Sequence, residues 1–308
     1  MKVLKRIGKI SLIVLLVIIG VIGTFTVYHH IALAVEKGHL KNPGQLVTVD
    51  GKKMNIYIQG ESTNPTMIFI SGAGTAAPIY NFKPLTSVLS EQYQTVVVER
   101  FGYGYSDIVK KSRSIDSILA DTRAALSAAG VTAPYILLPH SMGGLEALYW
   151  AQKYPAEISA IIGLDMAIPE SYDSLDFKKE KSQIDTARFL KFFGLSRLMG
   201  SSNGKAGLSK SEISQQNKLA HRNFVNGSLY NEGLKLLDNA KTVKDGGVPN
   251  VQMLLFSSNG KDIDSHWLQK QREFATENGF ELIEYDCGHY IHQHKATEIV
   301  EKIIAFFP

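Results

Sequence analysis

The stretch Tyr135-Ile136-Leu137-Leu138-Pro139-His140-Ser141-Met142-Gly143-Gly144 sets an apolar run against a helical pattern that begins directly after a serine. It reads as a strand, a sharp turn and a helix running on to Tyr154. Such a turn carries the Ser141 side chain out at the carboxyl end of a sheet. The backbone N–H of Met142 points into the same space from the first helical turn, so a nucleophile and an oxyanion donor arise together. Gly143 and Gly144 leave room where the backbone approaches itself. The same string also suits an ordinary strand-to-helix turn in which serine is the N-cap.

With His140, Met142 and the double glycine around the serine, the chain resembles the serine hydrolase branch of the α/β-hydrolase superfamily, over about Leu46 to Phe307. It departs from the usual Gly-x-Ser-x-Gly pattern, because Pro139 stands in place of the first glycine. The resemblance implies an α/β-hydrolase fold: a mostly parallel central sheet flanked by helices, with an inserted helical cap.

Upstream of the serine, strands and helices alternate, the pattern of a parallel sheet. Leu46–Val49 and Met54–Ile58 flank Asp50-Gly51, a hairpin signal. Thr66–Ile70 reads as a buried strand that ends in Ser71-Gly72-Ala73-Gly74. The family usually has His-Gly here, followed by a residue whose N–H is the second oxyanion donor; by position that residue is Ala73. Phe82–Leu89 is helical and Thr95–Val98 is the next strand. The segment Glu99-Arg100-Phe101-Gly102-Tyr103-Gly104-Tyr105-Ser106-Asp107 is similar to a family segment that opens on Asp-Arg, with Glu99 in place of the aspartate. Its role in the family is mostly structural, and no chemistry is assigned to it. Ile115–Ala129 is an amphipathic helix.

Downstream, Ile158–Leu164 is a strand, and then the strand signals cease from Ile168 to about Gly247. Amphipathic runs fall at Thr186–Met199, Lys210–Phe224 and Leu229–Lys241. The resemblance implies a cap over the active site for residues 168–247; the alternative is a surface helical insertion with no part in substrate binding. Residues 36–167 and 248–308 then form the hydrolase core. Val251–Phe256 resumes the sheet, Ser265–Asn278 is a helix, and Glu281–Tyr285 is the last strand. In the family a Gly-His pair just after that strand carries the catalytic base. This selects His289, which follows Gly288, over the neighbouring His292 and His294.

Two aspartates could orient His289. Asp165 sits at the end of the strand after the nucleophile helix, and Asp262 follows the next strand, the more common source in the family. Asp165 is preferred, because it comes almost directly off its strand, whereas Asp262 lies six residues beyond Phe256. Asp264 and Asp286 are poorer candidates.

The leader is a separate problem. Lys2, Lys5, Arg6 and Lys9 are the only charged residues before Glu36, and no charge occurs from Ile10 to Tyr28. That length is close to the ~20 residues that span a bilayer as a helix. Residues 1–35 are expected to be an uncleaved signal anchor, in contact with the membrane through residues 10–28, and His29 to Gly44 reads as a polar spacer that ends in the turn signal Asn42-Pro43-Gly44. The basic cluster keeps the amino terminus cytoplasmic and puts the body outside. The alternative is secretion after cleavage near Ala34, in the small-x-small string Ala32-Leu33-Ala34. Of the 33 basic residues four lie in this leader, which leaves 29 against 29 acidic ones. The body therefore shows no sign of nucleic-acid binding. Cys287 is the single cysteine, so no intrachain disulfide forms.

The function expected is that of a membrane-anchored serine hydrolase acting on a small-molecule acyl substrate, an ester or related bond, through an acyl-enzyme. Ser141 is the nucleophile, His289 the base, Asp165 the acid, and Met142 and Ala73 supply the oxyanion donors. No metal or organic cofactor is required. The alternatives are a non-catalytic relative that binds a ligand in its pocket, and a membrane-anchored interaction module.

Overall fold

A computed structural model describes residues 2–61, 64–198 and 204–307. The elements run α1 (Lys2–Gly38), β1 (Gln45–Val49), β2 (Lys52–Gln59), β3 (Thr66–Ile70), α2 (Pro78–Leu89), β4 (Thr95–Glu99), α3 (Ile115–Ala128), β5 (Tyr135–Ser141) and α4 (Gly143–Lys153). They continue through β6 (Ile158–Met166), α5 (Phe177–Phe192), α6 (Lys210–Asn223), α7 (Gly227–Leu234), α8 (Leu236–Asp245) and β7 (Gln252–Ser257). The chain ends with α9 (Trp267–Asn278), β8 (Glu281–Glu284), α10 (Ile291–His294) and α11 (Ala296–Phe306).

The eight described strands form one sheet in the order β1-β2-β4-β3-β5-β6-β7-β8. β2 is antiparallel to β1 and to β4, and every other pairing is parallel. Helices cover both faces, which is why β3 and β4 read as continuous apolar runs that are buried at every position. One face packs on α3 and α4 through Leu126, Leu145 and Trp150. The other packs on α2 and α11 through Phe82, Leu85, Ile299 and Ile303.

The carboxyl ends of β5 and β6 are shaped by close backbone contacts. β5 runs through Pro139, which lies opposite Ile70 of β3, and the β5–β6 register shifts between His140 and Ser141. Ser141 and Asp165, on the two sides of that irregularity, both have φ of +50°. Non-glycine residues in this region cost on the order of 1–2 kcal/mol each, so surrounding contacts must hold them there. Ala167 N–H donates to the Ser141 carbonyl at 2.7 Å and locks the two strand ends together.

Several elements depart from the sequence reading. The polar spacer expected from His29 to Gly44 is helical as far as Gly38, so the boundary at residue 35 falls inside one continuous helix. Nothing between His29 and Lys37 breaks a helix, and Ala, Leu, Glu and Lys favour one. The run Leu229–Lys241 is two helices that meet at Lys235. The run Thr186–Met199 belongs to a helix that starts at Phe177, capped by the Asp176 carboxylate on the N–H groups of Lys178 and Lys179; Met199 lies outside the described residues.

The glycines after the serine fill the role read for them. A Cβ on Gly143 would stand 2.6 Å from the Ile70 carbonyl oxygen, and one on Gly144 would stand 2.1 Å from that of Ala167. Both obstacles are backbone and cannot rotate away. Gly144→Ala sets a helix-propensity gain of about 1 kcal/mol against this overlap. The overlap is expected to win, lowering stability by about 1–3 kcal/mol in urea denaturation. A variant as stable as the parent would contradict the packing described.

Candidate active site

β5 delivers Ser141, β6 delivers Asp165, and the loop after β8 delivers His289, all at the carboxyl edge of the sheet. His289 Nδ1 lies 2.6 Å from Asp165 Oδ2. With the proton on Nδ1 the imidazole donates to the carboxylate, and Nε2 is left with the lone pair that a general base needs. The other carboxylate oxygen is saturated. Asp165 Oδ1 accepts from the Trp267 indole N–H at 2.7 Å, the Ser258 backbone N–H at 2.9 Å and the Ser257 hydroxyl at 3.3 Å. Asp165 is fully buried, and a polar group so buried needs hydrogen-bond donors of this kind.

Asp262 is placed differently. A Cβ on Gly288 would stand 2.4 Å from Asp262 Oδ2, so this carboxylate rests against the backbone beside the histidine. Asp286 accepts from the Asn259 side chain, and Asp264 faces Lys270.

The three histidines near the end of the chain separate by environment. His289 is 16% exposed at its side chain. His292 is buried, pairs with the Asn81 side-chain oxygen at 2.7 Å, and is pushed down to about 3 by burial, so it stays neutral inside the protein. His294 is exposed. His140 also supports the site. Its ring lies 4.5 Å from that of His289, and its Nε2–H donates to the His289 carbonyl at 3.2 Å. Burial, and then the neighbouring His289 and His292, hold His140 well below the usual imidazole range, which keeps it a neutral prop.

Ser141 is crowded on the side facing the loop after β3. A Cβ on Gly72 would stand 2.6 Å from the Ser141 Cβ and 3.2 Å from its Oγ. Ala73 and Met142, the neighbour of Ser141 in the chain, line a cavity of about 250 Å³ together with Ile184 of α5 and Leu229 and Glu232 of α7; Ser141 and His289 do not line it. The loop after β3 and the start of α4 therefore border one space. A further cavity of about 280 Å³, between α8 and α9, contains none of these residues.

Arg100, read from sequence as structural, ties this space together. Its guanidinium donates to the Ser71 carbonyl at 2.9 Å and to Glu146 of α4 at 3.0 Å, and lies 3.4 Å from Glu232 of α7. The loop that presents Ala73, the helix that presents Met142 and the helix over the cavity thus share one buried cation. Glu99 anchors the turn that follows β4: its carboxylate accepts from the Tyr105 and Ile79 backbone and from Asn55, while burial pushes it up to about 7. Asn223 of α6 donates to the carbonyls of Gly104 and Ala76, both at 2.8 Å, so the inserted helices are clamped onto that turn. The sequence signal for these residues was the Glu-Arg-Phe-Gly string. Trp267, Ser258 and Glu232 had none.

Residues 65–295 match the alpha/beta hydrolase fold family, and the chain belongs to that family. It is similar to an uncharacterised protein of Bacillus subtilis, YbdG, with 51% identity over 146 residues, 47% of this chain and 45% of the relative. The chain spans less than half the length of the curated relatives it matches. Among solved structures it is similar to the epoxide hydrolase VrEH1 of Vigna radiata, with a TM-score of 0.64 at 18% identity over 85% of this chain and 97% of that one. It is also similar to the enol-lactonase of Burkholderia xenovorans, with a TM-score of 0.61 at 17% identity over 85% and 99%. The protein has the α/β-hydrolase fold.

Proposed function

We propose that this hydrolase cleaves an ester or related acyl bond through an acyl-enzyme on Ser141. The observation that carries the reading is the 2.6 Å contact between His289 Nδ1 and Asp165, made by a carboxylate whose other oxygen is already fully engaged. Asp165 sets the tautomer of His289, and Nε2 then takes the Ser141 proton as Oγ attacks the acyl carbon. The oxyanion that forms is met by the N–H groups of Met142 and Ala73. Collapse expels the leaving group, protonated by His289. Water activated by the same imidazole then releases the acid and restores Ser141. Residues 168–247 act as the cap, with α5 and α7 over the acyl pocket. That the hydrolases found to be similar include an enol-lactonase is consistent with a small acyl substrate.

We further propose that α1 anchors the protein. Its apolar part is long enough to cross a bilayer, and none of it is buried against the body. The basic residues ahead of the span place the amino terminus in the cytoplasm and the hydrolase outside.

With a short p-nitrophenyl ester as substrate, Asp165→Asn is expected to lower kcat by on the order of 10⁴ with the fold intact. Asp262→Asn should retain near-normal activity, and Ser141→Ala should have none. A severe loss in Asp262→Asn beside a nearly active Asp165→Asn would move the acid to the later strand. For the orientation, protease added to intact cells is expected to digest the body, and a fully protected body would refute it.

A further inference from the structure

The stretch of α1 read as the span ends at Tyr28, before His29 and His30, yet the helix continues ten residues to Gly38 and lies against the hydrolase body along that extension. Gly194 packs so tightly on His29 that a Cβ there would stand 2.6 Å from the His29 Cβ. The Arg197 guanidinium donates to both carboxylate oxygens of Glu36, each at 2.8 Å, and its Nε–H donates to His29 Nδ1 at 2.8 Å. Gln215 of α6 donates to the His39 carbonyl and accepts from Lys41 N–H. The helix is thus docked on the segment that joins α5 to α6, which fixes the height of the body above the span.

The end of α5 and the segment after it carry an unusual surface. Phe189, Phe192 and Leu198 are 62%, 58% and 73% exposed. Among the described residues outside α1, the remaining exposed large apolar side chains are only 41–47% exposed and lie far apart in sequence. The Phe192 ring makes an edge-on contact with His30 at 5.7 Å between centroids. His30 is two residues past Tyr28, or about 3 Å along the helix axis. The polar layer of a bilayer is roughly 5–7 Å deep on each side of the hydrocarbon. Phe192 therefore stands within the interfacial layer if Tyr28 marks the edge of the hydrocarbon, and aromatic side chains favour that layer.

We infer that Phe189, Phe192 and Leu198 form a second contact with the bilayer, seating the end of α5 in the lipid headgroup layer beside the anchor. The inference rests on the reading of α1 as a bilayer span. It has a consequence for the substrate, because α5 also supplies Glu180 and Ile184 to the cavity lined by Ala73 and Met142. The roof of the pocket is then held at the membrane surface, where amphiphilic acyl compounds collect.

The test uses the full chain in vesicles of phosphatidylcholine and phosphatidylglycerol, with or without lipids brominated in the upper part of the acyl chain. Tryptophan is introduced singly as Phe192→Trp, as Val21→Trp within the span, and as Val248→Trp beside the amino end of β7, at the opposite end of the sheet strands from the site. The native Trp150 and Trp267 are buried and supply a constant background. The added emission of Val21→Trp and Phe192→Trp is expected to be lost in brominated bilayers to a similar extent, while that of Val248→Trp persists. Phe189→Trp serves in place of Phe192→Trp if the latter does not fold. If Val21→Trp is quenched and the α5 probe is as bright as Val248→Trp, the second contact is refuted while the anchor stands. If Val21→Trp is not quenched either, the anchor reading fails and the inference with it.

Discussion

The left-handed turn at Ser141 is the constraint on which the rest of the site depends. A serine at φ +50° is unfavourable by itself and has to be enclosed by neighbours that leave it no alternative. The enclosure is built from backbone: the carbonyls of Ile70 and Ala167 against Gly143 and Gly144, Gly72 against the serine itself, and the Ala167 N–H on the Ser141 carbonyl. Each of these groups belongs to an element ending at the same edge of the sheet, so the strained turn and the convergence of β3, β5 and β6 are one structural fact. Asp165 shares the conformation at the end of β6, directly across the register shift.

A site assembled from strand ends needs its loops held, and here buried charge holds them. Arg100 joins Ser71, Glu146 and Glu232; Arg113 pairs with Asp121 and lies 3.8 Å from Glu232. Burying ions is expensive, and the attraction between them repays the cost only with good geometry, so such a network is weak evidence for stability. Its value lies in position. It links the loop carrying Ala73, the helix carrying Met142 and a helix of the inserted segment, so that a shift in any one would leave a charge unpaired.

Much of this was legible in the chain. The apolar runs of β3 to β6 and the Ser141 turn stand out because each is local, and a local pattern survives in sequence. The Gly288-His289 pair is local too, which separates His289 from His292 and His294. The aspartate that meets His289 was harder to read. Asp165 and Asp262 both follow strands, and only the return path of the loop after β7, which presses Asp262 against Gly288 and turns the Ser258 N–H toward Asp165, distinguishes them. Trp267 and Glu232 left no trace, since their roles come from a helix and an inserted segment meeting the sheet at long range. The spacer after the leader was misread for a related reason: its composition is polar, but its contacts with Arg197 and Gln215 lie more than a hundred and fifty residues away.

The central claim is that Ser141 is the group that becomes acylated, and covalent trapping tests it without knowledge of the substrate. The full-length protein, in detergent, would be treated with a fluorophosphonate, digested, and its peptides weighed and fragmented. The structure predicts one adduct, on the Ser141 side chain, and no adduct in Ser141→Ala or after unfolding. Stoichiometric labelling at another residue, or undiminished labelling of the alanine variant, would contradict the account.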